Sequence, residues 1–321
     1  MTRVLVTGGA GYIGANICSV LIEKGYRVIV VDDFSNGLSS RLENLKVEVK
    51  EGDILNREFL LEAMLGVDAV IHLAAKKSVE ESVVKPLKYF ENNVAGTINV
   101  IGAMATAGVK KAIFSSTAVV YDSTAGLPLK ETDKKNPLSP YAQSKLLGED
   151  LFSKVSEATG ISSISLRYFN VVGAGGPNLG DNARDNLVPK TFLALKQGRK
   201  PQVYGTDYKT KDGTCIRDYI HVSDLADAHV LAMEKMSNAP ESKVLNLSSG
   251  SGYSVLEMMS QIRISTGIDF KEDLMDRRAG DPSVLIADIS EVKEELGWMP
   301  KRNLKEMIDS AWSAERAGQS K

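Results

Sequence analysis

The chain has 321 residues, and 39 Lys plus Arg against 41 Asp plus Glu leave a formal net charge of −2. That balance excludes the electrostatic footprint of a nucleic-acid or anionic-membrane binder, while 43% apolar residues supply an ordinary globular core. No apolar run reaches the ~18 residues of a membrane span, and two cysteines (Cys18, Cys215) and three histidines exclude a disulfide framework and argue against a Cys- or His-rich metal site.

Short β-branched runs alternate with helical stretches through the first half of the chain. Arg3–Thr7, Arg27–Asp32, Val47–Lys50, Ala69–Leu73, Lys111–Ser116 and Ser162–Arg167 read as buried parallel strands. Between the first two, Ile13, Ile17, Val20 and Leu21 fall at helical spacing, and Gly25 sits where that helix should stop. Pro86–Ala107 reads as a long helix, and Ser139-Pro140 opens another with an N-cap serine and a first-turn proline. Strands separated by such helices imply crossover units, hence an α/β fold with a Rossmann-like doubly wound parallel sheet. Beyond about residue 170 the alternation decays into Gly-, Asn- and Asp-rich segments (Gly173–Asn186, Gly205–Gly213). Residues 1–170 are therefore expected to form the sheet domain and 171–321 a smaller α/β lobe, with some crossing of the chain between them. The tail Arg316–Lys321 is expected to fray. The opening MTRVLVTGGAG leaves no room for a signal peptide, so a cytoplasmic location is expected.

Thr7 to Gly14 (TGGAGYIG) joins the first strand to the first helix. Gly8, Gly11 and Gly14 follow G-x-x-G-x-x-G, one residue from the dinucleotide fingerprint but with the same physical purpose. That purpose is a tight turn, a backbone close to a pyrophosphate, and the helix N-terminus at Tyr12-Ile13 aimed at it. An acidic residue about 20 positions on should bind a ribose hydroxyl. Asp32 closes the second strand there, and its charge would repel a 2′-phosphate, favouring NAD over NADP. Asp53 and Ile54 follow the third strand, where they would flank an adenine. Leu73 and Ala74 end the fourth strand with little bulk, leaving room for a cofactor. His72 reads as a satisfied core histidine, and His221 as structural.

Tyr141 and Lys145 lie four apart on the helix that begins at Pro140 and share a face. The preceding strand ends in Ser115-Ser116-Thr117 at the same sheet edge as the glycine turn. A free tyrosine, with a pKa near ~10, is a poor base at neutral pH. A nearby ammonium and a positive nicotinamide ring would stabilise its phenolate, and the Thr117 hydroxyl would hydrogen-bond the reacting oxygen.

With TGGAGYIG (7–14), ESVVKPLKYFENN (81–93), SPYAQSK (139–145), LRYFN (166–170) and GTDYKTKDGTCIRDYIHVSDLADAH (205–229), the chain resembles the extended short-chain dehydrogenase/reductases, in their UDP-hexose 4-epimerase branch. The resemblance covers essentially the whole chain and implies a homodimer with tightly bound NAD. It implies cofactor contacts at Asp32, Asp53, Ile54, Asn92, Tyr168 and Lys77, the last on a phosphate. Tyr141 matches the catalytic base, Lys145 its partner on the nicotinamide ribose, and Thr117 a position often filled by serine. Asn170, Asn186 and Leu187 match substrate contacts, and Tyr204 would lie against uracil. Arg217 and Arg278 match arginines on the diphosphate, a ligand that rewards guanidinium forks. Tyr219 and Asp281 match contacts to the uridine ribose, and Leu285 falls where the family gates the hexose C2 pocket.

These matches imply C4 epimerisation of UDP-glucose and UDP-galactose through a transient 4-keto sugar. A 4,6-dehydratase is disfavoured because Ala118 and Val119, rather than an acid pair, follow Thr117. Epimerases of UDP-glucuronate or UDP-N-acetylglucosamine remain alternatives, as does a dinucleotide sensor without chemistry. A leucine at 285 leads to the expectation of weak activity on 2-acetamido sugars.

Overall fold

The apolar runs pair as their continuous burial demands. The structure, a computed structural model, describes residues 1–122, 126–236, 239–278 and 280–318. Its first half runs β1 (Arg3–Thr7), α1 (Tyr12–Glu23), β2 (Arg27–Asp32), β3 (Val47–Glu51), α2 (Arg57–Ala63), β4 (Ala69–His72), α3 (Val79–Val84), α4 (Pro86–Tyr89), α5 (Gly96–Ala107), β5 (Lys111–Thr117), α6 (Pro140–Thr159) and β6 (Ser162–Tyr168). Then come β7 (Asn170–Val172), α7 (Leu187–Lys196), β8 (Gln202–Tyr204), β9 (Ile216–His221), α8 (Val222–Lys235), β10 (Ser242–Leu247), β11 (Gly252–Ser254), α9 (Val255–Thr266), β12 (Asp273–Met275), β13 (Val284–Leu285), α10 (Ser290–Leu296) and α11 (Leu304–Ala317). The six strands expected from the sequence are all present. The expected frayed tail is in part helical, since α11 runs to Ala317; residues 319–321 lie outside the described residues.

Seven strands form one parallel sheet in the order β3-β2-β1-β4-β5-β6-β10. Successive side chains of a strand point to opposite faces, and the two cores follow that rule. Val4, Val6, Val28 and Val30 pack with Ile17 and Leu21 of α1 and Leu225 and Val230 of α8. Leu5, Ile29 and Val31 pack on the other face with Leu60 of α2, Val100 and Met104 of α5 and Phe152 of α6. The strand order reverses between β1 and β4, which opens a crevice at the carboxyl ends of the strands.

The long helix expected over Pro86–Ala107 is continuous but not uniform: α4 passes into α5 through a π turn at Phe90–Ala95. Residue 170 marks where the chain first leaves the sheet, and it later returns. Strand β10 is the seventh member of the sheet, and α8 packs against α1. The second lobe proper is a sheet of β11, β9 and β13, with β7 also paired to β9, and a separate β8–β12 pair. Its core includes Val188, Phe192, Met258, Met259, Ile262 and Ile308. No helix among the described residues is long and apolar enough to cross a membrane.

Arg167, on β6, is the largest fully buried side chain. Its Nε donates to Glu149 Oε1 at 2.9 Å and its Nη2 to Glu149 Oε2 at 2.7 Å. Its Nη1 donates to Tyr121 Oη at 2.9 Å and the Glu131 carbonyl at 3.1 Å, and Tyr121 Oη donates in turn to Asn246 Oδ1 on β10 at 2.5 Å. One guanidinium thus ties α6 and β6 to Tyr121 and Glu131, and through Tyr121 to β10. Replacing Arg167 by Met strands the buried Glu149 charge and is expected to cost about 3–5 kcal/mol, read by urea unfolding.

Candidate active site

The crevice is a cleft of about 990 Å³ with the glycine turn at one end and β9 at the other. Gly8 has φ +72°, and a Cβ there would lie 2.8 Å from the Ala74 nitrogen. A Cβ on Gly14 would lie 2.7 Å from the Gly9 Cα. Side chains at either place would force β1, β4 and α1 apart. Helix α1 starts at Tyr12 behind an N-cap glycine, Gly11, with no side-chain cap and no acidic residue in its first turn, which leaves its first amides free for an anion. Asp32 is 7% exposed; its Oδ2 accepts from the Ala10 amide and its Oδ1 from the Phe34 amide, both at 2.9 Å. Burial pushes this carboxyl up, and the two amides draw it back. The cradle of glycines, the uncapped amides and the fixed carboxylate at the end of β2 fit the dinucleotide expected from the sequence.

The other cofactor positions line the same cleft: Tyr12, Ile13, Asp53, Ile54, Leu73, Ala74, Lys77 and Asn92. The π turn carries Asn92 and the buried Asn93, which the sequence reading missed. Asn93 Oδ1 accepts from the Lys76 amide at 2.8 Å, and its Nδ2 donates to the Lys76 carbonyl at 3.0 Å and to Ser144 Oγ at 2.9 Å. His72 is the core residue it was read to be. Thr97 Oγ1 gives its proton to the Asn93 carbonyl, so it accepts from His72 Nε2 at 3.0 Å, and Thr7 Oγ1 donates to His72 Nδ1 at 2.7 Å. Burial holds this imidazole neutral, with its pKa lowered to about 3. His221 likewise caps α8, accepting from the Ser223 amide at 3.0 Å.

The Ser139 hydroxyl caps α6 by accepting from the Ala142 amide at 3.2 Å, and Pro140 opens its first turn. That start places Tyr141 and Lys145 on the cleft side, facing Thr117 at the end of β5. Burial pushes the Tyr141 phenol up to about 12, against a hydrogen bond with the Thr117 hydroxyl that lowers it, and Tyr89 adds to the rise. Lys145 is 5% exposed, and burial lowers its ammonium to about 7 against the Glu149 carboxylate one turn on. Its Nζ donates to the Ser115 carbonyl at 2.8 Å and to Ser115 Oγ at 3.0 Å, and lies 5.0 Å from the Phe114 ring centroid. Ser115 was not singled out in the sequence, yet it is what holds the lysine. Tyr168 lines the cleft while donating its hydroxyl to His229 Nε2, since the Nδ1 hydrogen is given to the Leu225 carbonyl.

On β9, Arg217 and Tyr219 line the cleft. Between them the buried Asp218 accepts from the Ser249 amide at 3.0 Å, Ser249 Oγ at 2.7 Å, the Gly250 amide at 3.0 Å and the Ala287 amide at 3.1 Å. Arg217 Nη2 donates to Asp281 Oδ1 at 2.5 Å, so two groups assigned to different parts of a ligand are paired with each other. The Arg278 guanidinium lies 4.2 Å and Lys190 Nζ 5.4 Å from the Tyr204 ring centroid. Asn170, Asn186 and Leu187 also line the cleft. Leu285 is the exception. It is in register with Arg217 but is absent from the cleft wall, and it packs against the cluster of Ala118, Val120, Tyr121, Leu129, Phe169 and Ala287. Phe169, from that cluster, is the apolar side chain that reaches the cleft.

A doubly wound sheet with this turn, this tyrosine–lysine helix and an arginine-bearing lobe defines a nucleotide-binding α/β enzyme of the dehydrogenase type. The chain belongs to the NAD dependent epimerase/dehydratase family, whose model matches residues 4–248. It is 42% identical to a UDP-glucose 4-epimerase of Azospirillum brasilense over 98% of this chain and 92% of that one. A UDP-glucose 4-epimerase structure from Stenotrophomonas maltophila, with bound NAD and formylated UDP-arabinopyranose, matches with TM-score 0.95 and 38% identity over 100% and 99% of the two chains. Another from Bifidobacterium longum, in complex with NAD⁺ and UDP, matches with TM-score 0.91 and 35% identity over 99% of each.

The Lys145 environment has a measurable consequence. An unfolded lysine titrates near ~10.4, and this one near about 7. Between those values the unfolded chain binds more protons, so stability rises with pH through that window. In cofactor-free protein, the stability of wild type minus that of Lys145→Met is expected to climb from about pH 7 to about pH 9.5, at no more than about 1.4 kcal/mol per unit. Urea unfolding at stepped pH checks it; a flat difference would contradict a buried, uncompensated ammonium.

Proposed function

We propose that this chain is an isomerase that epimerises C4 of UDP-glucose and UDP-galactose with tightly held NAD. The observation that carries this is convergence: the glycine turn with Asp32, the Thr117/Tyr141/Lys145 trio and the Arg217/Arg278 pair all face one cleft. Gly8, Gly11, Gly14, Asp32, Asp53, Ile54, Lys77 and Asn92 would hold the dinucleotide. Bound NAD⁺ supplies a hydride acceptor for the sugar C4 and a positive ring charge that favours a tyrosine phenolate.

The protein's own part is proton handling and placement. Tyr141 takes the proton of the 4-hydroxyl, for which its pKa must fall from about 12. Lys145 supplies protein charge for that fall, and Thr117 hydrogen-bonds the same sugar oxygen. Arg217 is already paired with Asp281, so the substrate diphosphate exchanges for that carboxylate on the guanidinium and frees Asp281 for the uridine ribose. Arg278 completes the grip on the diphosphate, and Tyr204 offers its ring to uracil. Held by its diphosphate, the sugar ring is free to turn and present its other face. Leu285 packs against the cluster that brings Phe169 to the cleft, and the expectation of a leucine gate against 2-acetamido sugars rests on the resemblance.

A homodimer is proposed on the exposed apolar side chains of the helices beside the π turn. Ile98 on α5 is 50% exposed and Leu147 on α6 37%, and pairing with a second copy would cover both. Paired Ile98→Asp and Leu147→Glu changes are expected to convert a dimer into a monomer in sedimentation velocity. We propose a cytoplasmic location, an expectation from the sequence with which two buried free thiols are compatible.

Tyr141→Phe is expected to lower kcat by about 10²–10⁴-fold while NAD content and UDP affinity stay at wild-type levels. The measurement is turnover of UDP-galactose by NMR without added cofactor. A variant that keeps more than about a tenth of wild-type turnover would rule out Tyr141 as the base.

A further inference from the structure

The loop over 173–182 leads from β7 into the cleft-lining run Asp181–Leu187, and side chains from the cofactor end of the sheet hold its backbone. Asn16 lies one turn beyond Tyr12 on α1, is 2% exposed and is not part of the cleft wall. Its Nδ2 donates to the Leu179 carbonyl at 2.9 Å and the Tyr12 carbonyl at 2.8 Å, and its Oδ1 accepts from the Gly175 amide at 2.8 Å. Two carbonyls and one amide hydrogen allow only one orientation of this side chain. A Cβ on Gly175 would stand 2.6 Å from Asn16 Oδ1, so the loop backbone lies directly on the amide. Two further side chains act beside it. Tyr12 Oη donates to the Gly173 carbonyl at 2.7 Å. The buried Arg41 donates to the Gly180 carbonyl at 3.0 Å, to Asn182 Oδ1 at 2.7 Å and back to the Ala10 carbonyl of the glycine turn at 3.3 Å. At the far end Asp181 Oδ2 accepts from Asn186 Nδ2 at 2.6 Å.

We propose that Asn16 is a positioning residue for the UDP-sugar: from the cofactor helix it fixes the loop that sets Asn186 and Leu187 in the nucleotide pocket. The inference rests on the site reading above, in which Asn186 and Leu187 meet the nucleotide. The loop contains Gly173, Gly175, Gly176 and Gly180 and has no helix or strand between β7 and α7, so its own backbone does little to hold one conformation. Removing the Asn16 amide takes its partner from the buried Leu179 carbonyl and from the part-buried Gly175 amide, and lets the loop sample other arrangements. The nucleotide must then order the loop as it binds, which weakens binding. The glycine turn and Asp32 keep their geometry, so dinucleotide retention and the chemical step are spared.

The test compares wild-type holoenzyme with Asn16→Ala and Gly175→Ala. The readouts are the Kd of UDP by calorimetry, KM and kcat for UDP-galactose, NAD content and Tm. Both variants are expected to raise the UDP Kd and the KM at least about fivefold, with kcat within about threefold of wild type and NAD content unchanged. Gly175→Ala keeps the amide but crowds it, so it carries the test if Asn16→Ala does not fold. A lowered Tm with unchanged UDP Kd would reduce Asn16 to a structural role and overturn the inference, as would a fall in kcat at constant KM. Wild-type holoenzyme that fails to bind UDP would instead overturn the reading of the site itself.

Discussion

A buried carboxylate, Glu149, organises the catalytic edge of the sheet. It accepts two hydrogen bonds from Arg167 on β6 and one from Ser116 Oγ on β5. It also sits on α6 one turn beyond Lys145 and two beyond Tyr141, so the three residues form a stripe that runs from cleft to core. The phenol is half-buried, the ammonium is 5% exposed, and the carboxylate is sealed against an arginine. A helix can hold two ionisable groups in a dry place only if the charge at the inner end is answered, and Arg167 answers it. The relative placement of Thr117 and Tyr141 follows, because one carboxylate grips both the strand and the helix that carry them.

The electrostatics divide along the same line. At the inner end burial is resolved by pairing, whereas at the cleft it is left unresolved: Tyr141 is pushed up and Lys145 down. Both shifts come chiefly from desolvation, so the protein alone holds the pair near neutrality. A ligand that brings charge finds side chains already displaced from their ordinary ranges, which is how sites for proton transfer near neutral pH are built. The second lobe follows a different rule. Arg217 meets Asp281 and Arg278 meets an aromatic face, so its cations are occupied until something with more negative charge displaces their partners.

Much of this was legible in the chain because it rests on local rules. Buried parallel strands read as apolar runs, and all six in the first half fell within a residue or two of their observed ends. The glycine turn was legible because a side chain there collides with neighbouring backbone, and Tyr141 with Lys145 because four residues make one helical turn. What stayed hidden depends on residues far apart in sequence. Ser115 grips Lys145 across 30 positions, Arg41 reaches Gly180 across 139, and Asn16 reaches Leu179 across 163. Strand β10, SKVLNL, was missed because it is short, carries polar residues and lies where the alternation has decayed. Leu285 is a different case: its expected role came from resemblance alone, and the structure places it beside an apolar cluster whose Phe169 reaches the cleft.

The π turn at Phe90–Ala95 carries a last implication, about phase. An ordinary helix advances each residue by a constant angle, and a wider turn absorbs an extra residue without breaking the rod. Before the insertion Tyr89 is fully buried, and after it Val100 and Met104 reach the core beneath α2. The two halves therefore keep separate angular frames, and no single apolar stripe runs the length of 86–107. Asn92 and Asn93 occupy the seam where those frames meet, so the core packing of α5 and the Asn92 amide offered to the cleft are set by different counts of the same chain.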